Sequence, residues 1–365
     1  MSFDDQLAQH RLEELSQHAY SLTASGAIRQ RFTARLDRRP DAPVGDFTEI
    51  ARALEREGYG VVWNERSGVV VVELRARSAS RVPWTHVILF ILTVVTVFFF
   101  PQYNRAQFMN ALAGKMTLDF SEWIITPSVW DIGWGAEFTF WLLAIILAHE
   151  FGHYVAGRRR NIRLTLPYFI PAPTLFGTMG AVIRFQSPIS NRRDLLEVGA
   201  AGPLAGFVIS VVAVVVGLLR TDPTTPGLFS FQGESILMTG LGRFILGAEF
   251  MRGTMDLSPA ALAGWAGFLV TALNMIPISQ LDGGHVMYGL FQSWSRRVVY
   301  VSLVGLFLAG FVSEIWWLYG FIGVAFGAFH PPTQQDEIHP TRTAAVMGWA
   351  ALIVFALCLN LRPIG

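Results

Sequence analysis

The sequence predicts a mainly α-helical, polytopic transmembrane helix bundle of about six to seven spans, with a re-entrant or β-hairpin element and a small N-terminal soluble α+β domain. Three observations carry this reading. Of the 365 residues, 52% are hydrophobic and only 15% charged, against about 25% charged in an ordinary soluble domain, and the mean hydropathy is +0.41. Apolar runs of roughly bilayer-crossing length recur after residue 82, and none stands before it. The formal net charge is only +1, so no nucleic-acid partner is expected, and basic residues matter by where they cluster. The single cysteine, Cys358, lies in an apolar run. It permits no intramolecular disulfide and reads as a small buried or lipid-facing side chain.

Residues 1–82 read as the soluble α+β domain and 83–365 as the membrane domain. Helical patterning runs from about Asp4 to Asp37, and "RRPDAPVG" breaks it. "DFTEIARALEREGYG" follows as a second helix, in which Asp46 and Glu49 have capping-box spacing. "GVVWNERSGVVVVELRA" then reads as a hairpin turning near Asn64 to Gly68. This domain has no catalytic signature and is expected to regulate or dock. An apolar leader is also missing from its polar first 80 residues, so no secretory signal peptide is expected.

Spans are expected at 85–100, 137–158, 195–219, 258–278, 297–312, 315–329 and 343–361. Residues 168–185, "YFIPAPTLFGTMGAVIRF", are apolar but interrupted by Pro171, Pro173, Gly177 and Gly180. That is too broken for a spanning helix. Such backbone survives at membrane depth only beside protein or a water-filled cavity, so the segment reads as the re-entrant or hairpin element. Arg158, Arg159, Arg160, Arg163, Arg192, Arg193, Arg296 and Arg297 fall on one side when the spans alternate. By the positive-inside rule that side is cytoplasmic and holds the N-terminal domain. Loops 101–136 and 220–257 fall outside. Trp84, His86, Trp316 and Trp317 read as interface anchors, and the glycines at 199, 202 and 206 as sites of close helix packing. His330 and His339 read as cytoplasmic interfacial residues or as groups that cap the site.

The chemistry sits in the second span, "FTFWLLAIILAHEFGHYVAGRRR". His149 and His153 are four apart, so on a helix their imidazoles share one face and can meet one metal ion. Glu150 between them is no ligand in an H-E-x-x-H pattern. It stands beside the open coordination position as general base. Three such groups in an apolar helix cost several kcal/mol unless paired or liganded. Two histidines leave a tetrahedral zinc one protein ligand short. "LNMIPISQLDGGHVMYG", residues 273–289, offers Asp282 as a third ligand or as the N-cap of the next helix. His285 competes as ligand or stands just outside the metal's own ligands, and Gly283 and Gly284 let backbone approach closely.

These residues carry a resemblance. "HEFGH" in a membrane helix, followed more than 100 residues later by "NMIPISQLDGG", resembles the site-2 protease family of intramembrane zinc metalloproteases. The stretch "YFIPAPTLFGTMGAVIRFQSPISNRRDLLEVGAAGPLAGF" resembles the branch that includes the bacterial and chloroplast EGY-like proteases. The likeness covers roughly residues 85–330. It implies one Zn²⁺ per chain on His149, His153 and Asp282, with Glu150 as general base. It further implies that Asn274 contacts substrate backbone or a developing oxyanion. Phe176 to Gly180, including Gly177, would belong to a strand that receives unwound substrate. Read from its chemistry alone, Asn274 is either that oxyanion donor or a buried amide satisfying helix carbonyls. The partners implied are a transmembrane protein substrate and the lipid bilayer, with the chain in a bacterial inner membrane and its site toward the cytoplasm. A PDZ-length insertion and a nucleotide-binding tail, known from other branches, are not found.

The physics agrees with such a reaction. A peptide bond inside a transmembrane helix is shielded by its own hydrogen bonds, so the helix must open first, and strand addition to a hairpin edge would hold it open. Two rival readings are a transporter, which needs a polar path open alternately to both sides, and a catalytically silent metal-binding receptor or scaffold, which would not need Glu150. The ionisable cluster is one-sided and the glutamate is intact. Both features favour the protease.

Overall fold

The computed structural model describes residues 3–17, 20–28, 31–39, 47–56, 59–66, 69–76, 83–115, 119–127, 130–187, 189–227, 229–230, 234–247, 254–278, 281–325, 330 and 332–360. The chain divides into two compact units, Met1–Pro83 and Trp84–Gly365.

The first unit contains α1 (Phe3–Ser16), β1 (Tyr20–Ile28), β2 (Arg31–Arg38), α2 (Thr48–Arg56), β3 (Tyr59–Arg66) and β4 (Val69–Ala76). Its antiparallel sheet has the order β1-β2-β4-β3. The helix expected from Asp4 to Asp37 ends at Ser16, and a strand pair takes its place. The reason is a period of two: Ala34 and Leu36 are buried opposite Val72 and Val70 of β4. Alternate residues of β2 therefore face one core, which also holds Leu12, Phe47 and Leu54. The expected second helix is α2, while Asp46, proposed as its cap, lies outside the described residues. β3 and β4 form the expected hairpin, and residues 67–68 of its turn lie outside the described set.

The second unit is mainly helical. It contains α3 (Trp84–Leu112), α4 (Phe120–Ile124), α5 (Ile132–Arg159), β5 (Tyr168–Pro171), β6 (Thr178–Val182), α6 (Arg192–Leu218), β7 (Phe229–Ser230), α7 (Ile236–Leu246) and β8 (Thr254–Met255). α8 (Pro259–Asn274), α9 (Asp282–Phe291), α10 (Ser295–Ala309), α11 (Ile315–Ala325) and α12 (Arg342–Cys358) follow. Among the described residues α3, α5 and α6 are long and apolar enough to cross a membrane, and α7, α8, α11 and α12 are shorter apolar helices.

Three helices depart from the sequence reading. α3 runs past residue 100, through Pro101, to Leu112; a proline here forfeits one backbone hydrogen bond, and the apolar run on its N-terminal side sustains the helix. α7 occupies part of the segment read as an outer loop, because its 11 residues fall below the spanning length that the reading required. α9 is a separate short helix, divided from α10 by a 3₁₀ turn at Gln292–Trp294 rather than continuous with the fifth span.

α6 is central, packed against α5, α8, α9 and α12. Small residues allow these approaches. A Cβ at Gly152 of α5 would stand 2.5 Å from the Ala201 carbonyl oxygen of α6, and one at Gly264 of α8 would stand 2.8 Å from the Ser210 carbonyl oxygen. The broken segment folds as the β5–β6 hairpin, with Phe169 opposite Ala181. Its β5 side lies on α3, where the Phe90 and Phe169 rings meet edge to face at 5.0 Å. At the turn Gly177 has φ +74, and a side chain there would run into the Thr96 backbone of α3. Pairing continues beyond the strands, with the Thr165 amide donating to the Arg184 carbonyl and that of Gln186 to the Arg163 carbonyl.

Candidate metal centre

The buried face of α5 carries Phe138, Leu142, Ile146, His149, Glu150, His153 and Gly157, the three-and-four spacing of one helical stripe. Its last two turns thus turn both histidines and the glutamate inward. Arg160, which ends the helix, donates from Nε to Glu197 of α6 at 2.5 Å and adds a second, shorter bond through Nη2. On the facing helix a Cβ at Gly202 would overlap the His153 ring, and one at Gly206 would stand 3.1 Å from His149 Cβ. The glycines of α6 are the recess into which the two imidazoles fit.

Asp282 is the first residue of α9. The N-cap position belongs to Leu281, and no side chain caps that helix. The carboxylate instead reaches across to α5, with Oδ2 3.1 Å from His149 Nε2 and Oδ1 3.2 Å from His153 Nε2. The two Nε2 atoms are 3.1 Å apart. A Cβ at Gly283 would meet the Met275 carbonyl at the end of α8, so this glycine lets the start of α9 come so close. Gly284 lines a different cavity.

These donors fit a metal. His153 Nδ1 lies 2.8 Å from the Val198 carbonyl, which can only accept, so Nδ1 carries the hydrogen and, whenever the ring is neutral, Nε2 is bare. A bare nitrogen facing a carboxylate oxygen at 3.2 Å is two acceptors in contact, which is unfavourable unless a cation or proton stands between them. Bonds of about 2.0–2.2 Å in a tetrahedron place neighbouring ligands roughly 3.3 Å apart. The observed 3.1–3.2 Å triangle is close to that. Three protein donors with a fourth position open is the catalytic form of a zinc site.

A cavity of about 130 Å³ opens on the triangle, and Glu150 and Asn274 line it. Asn274 Nδ2 is 3.4 Å from His149 Nε2. The hairpin reaches this cavity through Ala181, Val182, Ile183 and Phe185. Of the residues expected to receive substrate, Phe176 and Gly177 sit in the turn, where the Phe176 ring contacts Trp265 of α8 at 5.9 Å and Gly177 abuts α3, while Gly180 lies within β6; none of the three lines this cavity. The end of β6 and the chain continuing past it therefore line the cavity, not the turn before them. His285 is buried beside the donor triangle and outside it. Its ring lies between Phe185 at 5.9 Å and His330 at 4.9 Å. Sequence reasoning missed Leu164 as a cavity wall and the Val198 carbonyl as the partner of His153. A backbone carbonyl leaves no mark in a sequence.

Residues 137–313 match the model of peptidase family M50. This segment, just under half of the chain, is similar to the peptidase domains of that family. The match runs from α5 to just beyond α10 and includes all three metal-facing residues. The chain is 33% identical over 302 residues to the probable zinc metalloprotease EGY1, chloroplastic, of Oryza sativa subsp. japonica, covering 77% of this chain and 51% of that protein. It is 39% identical over 159 residues to the probable zinc metalloprotease EGY2, chloroplastic, of Oryza sativa subsp. indica, covering 42% and 28%. To EGY1 of Arabidopsis thaliana it is 33% identical over 223 residues, covering 57% and 40%. The chain spans about half, or less, of the length of these relatives. No solved structure matches.

Proposed function

We propose that the chain is an intramembrane zinc metalloprotease that cleaves transmembrane segments of membrane proteins. The observation that carries this reading is the convergence of His149, His153 and Asp282 on one point, with Glu150 and a strand edge in the same small cavity.

His149, His153 and Asp282 hold one Zn²⁺ per chain, with Val198 fixing the His153 tautomer. When bound, the ion acts as a Lewis acid that makes water acidic and polarises a carbonyl. Glu150 takes the proton of the attacking water and delivers it to the leaving amine. The Asn274 amide donates to the carbonyl oxygen that gains charge. Residues 181–185 supply the strand edge. Since Arg184 and Gln186 turn their amides toward 163–165, alternation turns those of Ala181 and Ile183 to the free edge, where an unwound substrate can add as a strand.

The domain reading extends this proposal: 1–82 is a cytoplasmic regulatory or docking domain and 83–365 the membrane protease. The six to seven spans are drawn from α3, α5, α6, α8, α10, α11 and α12. The basic ends of α5 and the starts of α6 and α10 lie on the cytoplasmic side, in a bacterial inner membrane. Purified chain in liposomes, incubated with a panel of single-span proteins and mapped by mass spectrometry, tests the activity. Cuts inside the spans that vanish with Glu150→Gln support it; cuts confined to soluble loops, or unchanged in the variant, refute it.

A further inference from the structure

A second cavity, about 520 Å³, lies across α9 from the metal centre. That is within the roughly 300–1,000 Å³ of small-molecule sites. α9 is the shared wall: Asp282 and His285 face the metal-centre cavity, Gly284, Met287 and Tyr288 the larger one. The other walls are the start of α10, with Ser295, Arg296 and Val299, and a strap before α12 that contributes His330, Pro332 and Asp336.

Its charge is lopsided. Asp336, the carboxylate in the wall, is already engaged, accepting from the Tyr288 hydroxyl at 2.5 Å and from the Thr333 amide and hydroxyl at 3.1 and 2.5 Å. Arg296 is exposed and makes no ion pair among the described residues. Behind Gln292, the buried Arg192 donates to the Gln292 side-chain oxygen at 3.0 Å, which leaves the Gln292 amide hydrogens available as donors. The wall thus offers a free guanidinium and an amide, backed by a second guanidinium: the donors of an anion site.

Its depth names the anion. One turn beyond Arg296 the outer face of α10 becomes apolar and exposed at Tyr300, Val301, Val304 and Leu308, as a lipid-facing helix would be. Exposed Trp294 lies under the Arg297 guanidinium at 4.4 Å, the pairing of aromatic and basic groups found at headgroup level. Met287 and Val299 add an apolar side to the same cavity. We infer that this cavity is a binding site for the phosphodiester headgroup of an anionic phospholipid, held by Arg296 and the Gln292 amide. The strap makes the site a neighbour of the metal centre, because the His330 ring touches both Tyr288 and His285 at 4.9 Å.

The test uses the full chain in neutral detergent, offered phosphatidylglycerol or phosphatidylcholine and weighed by native mass spectrometry. Phosphatidylglycerol should be retained preferentially, and Arg296→Gln should weaken its retention about fivefold, the worth of one basic residue at an anionic surface. Arg296→Lys should keep most of the preference, and Arg243→Gln, on exposed α7 surface, should keep it all. Equal retention of both lipids by the unaltered chain would overturn the proposal without recourse to any variant, as would undiminished retention by a folded Arg296→Gln. Displacement of the lipid by millimolar inorganic phosphate would overturn it too, since the site would then serve a free anion. Melting of the variants in the same detergent separates lost binding from lost folding.

Discussion

Two substitutions on one face of α6, Gly202→Ala and Gly206→Ala, add the same methyl group one turn apart and should have very different consequences. At 206 the new carbon would stand 3.1 Å from His149 Cβ, a few tenths of an ångström inside ordinary contact. A slight adjustment of α5 relieves it, and the gain in helix propensity of up to about 1 kcal/mol offsets the cost. At 202 the new carbon falls on the His153 ring itself, with ring atoms as its three nearest neighbours. Ordinary carbon contacts are about 3.5–4.0 Å, so the ring must retreat by more than about 1 Å, whereas metal–ligand distances tolerate roughly 0.2 Å. The same movement breaks the 2.8 Å bond to the Val198 carbonyl, and loss of such an outer partner alone lowers metal affinity about 10–100-fold.

Gly202→Ala should therefore weaken zinc binding at least about 100-fold, and Gly206→Ala by less than about fivefold. The assay is zinc retained at graded chelator strength, read by elemental analysis, with tryptophan-fluorescence melting of the metal-free chain alongside. Gly202→Ala should melt normally without metal if the ring yields, and early if α5 and α6 separate instead. Metal affinity falls in either case. Equal zinc affinity in the two variants would refute the placement of His153 against Gly202.

Glu150→Gln should keep about one zinc per chain while cleavage falls roughly 100-fold or more, measured by metal analysis and turnover on one preparation. Asp282→Ala should lose zinc and activity together, and His285→Ala should keep zinc; the reverse pattern would reassign the third ligand. Ala181→Pro should impair cleavage with zinc retained, because it removes a free-edge donor, whereas Val182→Pro should also loosen the hairpin, visible as a lower melting temperature. Burial pushes the Glu234 carboxyl, which accepts from the Trp265 and Asn360 side chains, up to about 7. A folded value above the unfolded one means that the stability tied to the proton is complete below about pH 4.5 and is lost as pH rises through 7. Melting between pH 5.5 and 8 should show a downward slope that Glu234→Gln flattens.

How much of this was legible depended on how far apart the interacting residues lie. His149 and His153 could be placed on one helix face from a spacing of four, because the helix supplies that geometry locally. The long apolar helices over 137–158 and 195–219 were legible for the same reason: about twenty predominantly apolar residues announce their own environment. Asp282 was harder. Its local context, ahead of a helix, suggested a cap, and only the fold decides between a cap and a partner 133 residues away on α5. Residues 33–37 were read by helical period when their burial alternates, a distinction settled by the pairing of Leu36 with Val70 across the sheet. Phe176 to Gly180 were assigned to a substrate strand by resemblance; Gly177 lets the turn lie against Thr96, and it is Ala181, Val182, Ile183 and Phe185, further along the same hairpin, that line the cavity. The α6 glycines carry the same lesson in energetic form. Packing was the right reading of Gly199, Gly202 and Gly206, yet what two of them pack against is the pair of imidazoles. In this domain the small residues of one helix are part of the metal centre on another: they fix how close the ligands stand, and so whether a buried, otherwise costly cluster of two histidines and two carboxylates becomes a site that a single cation can stabilise.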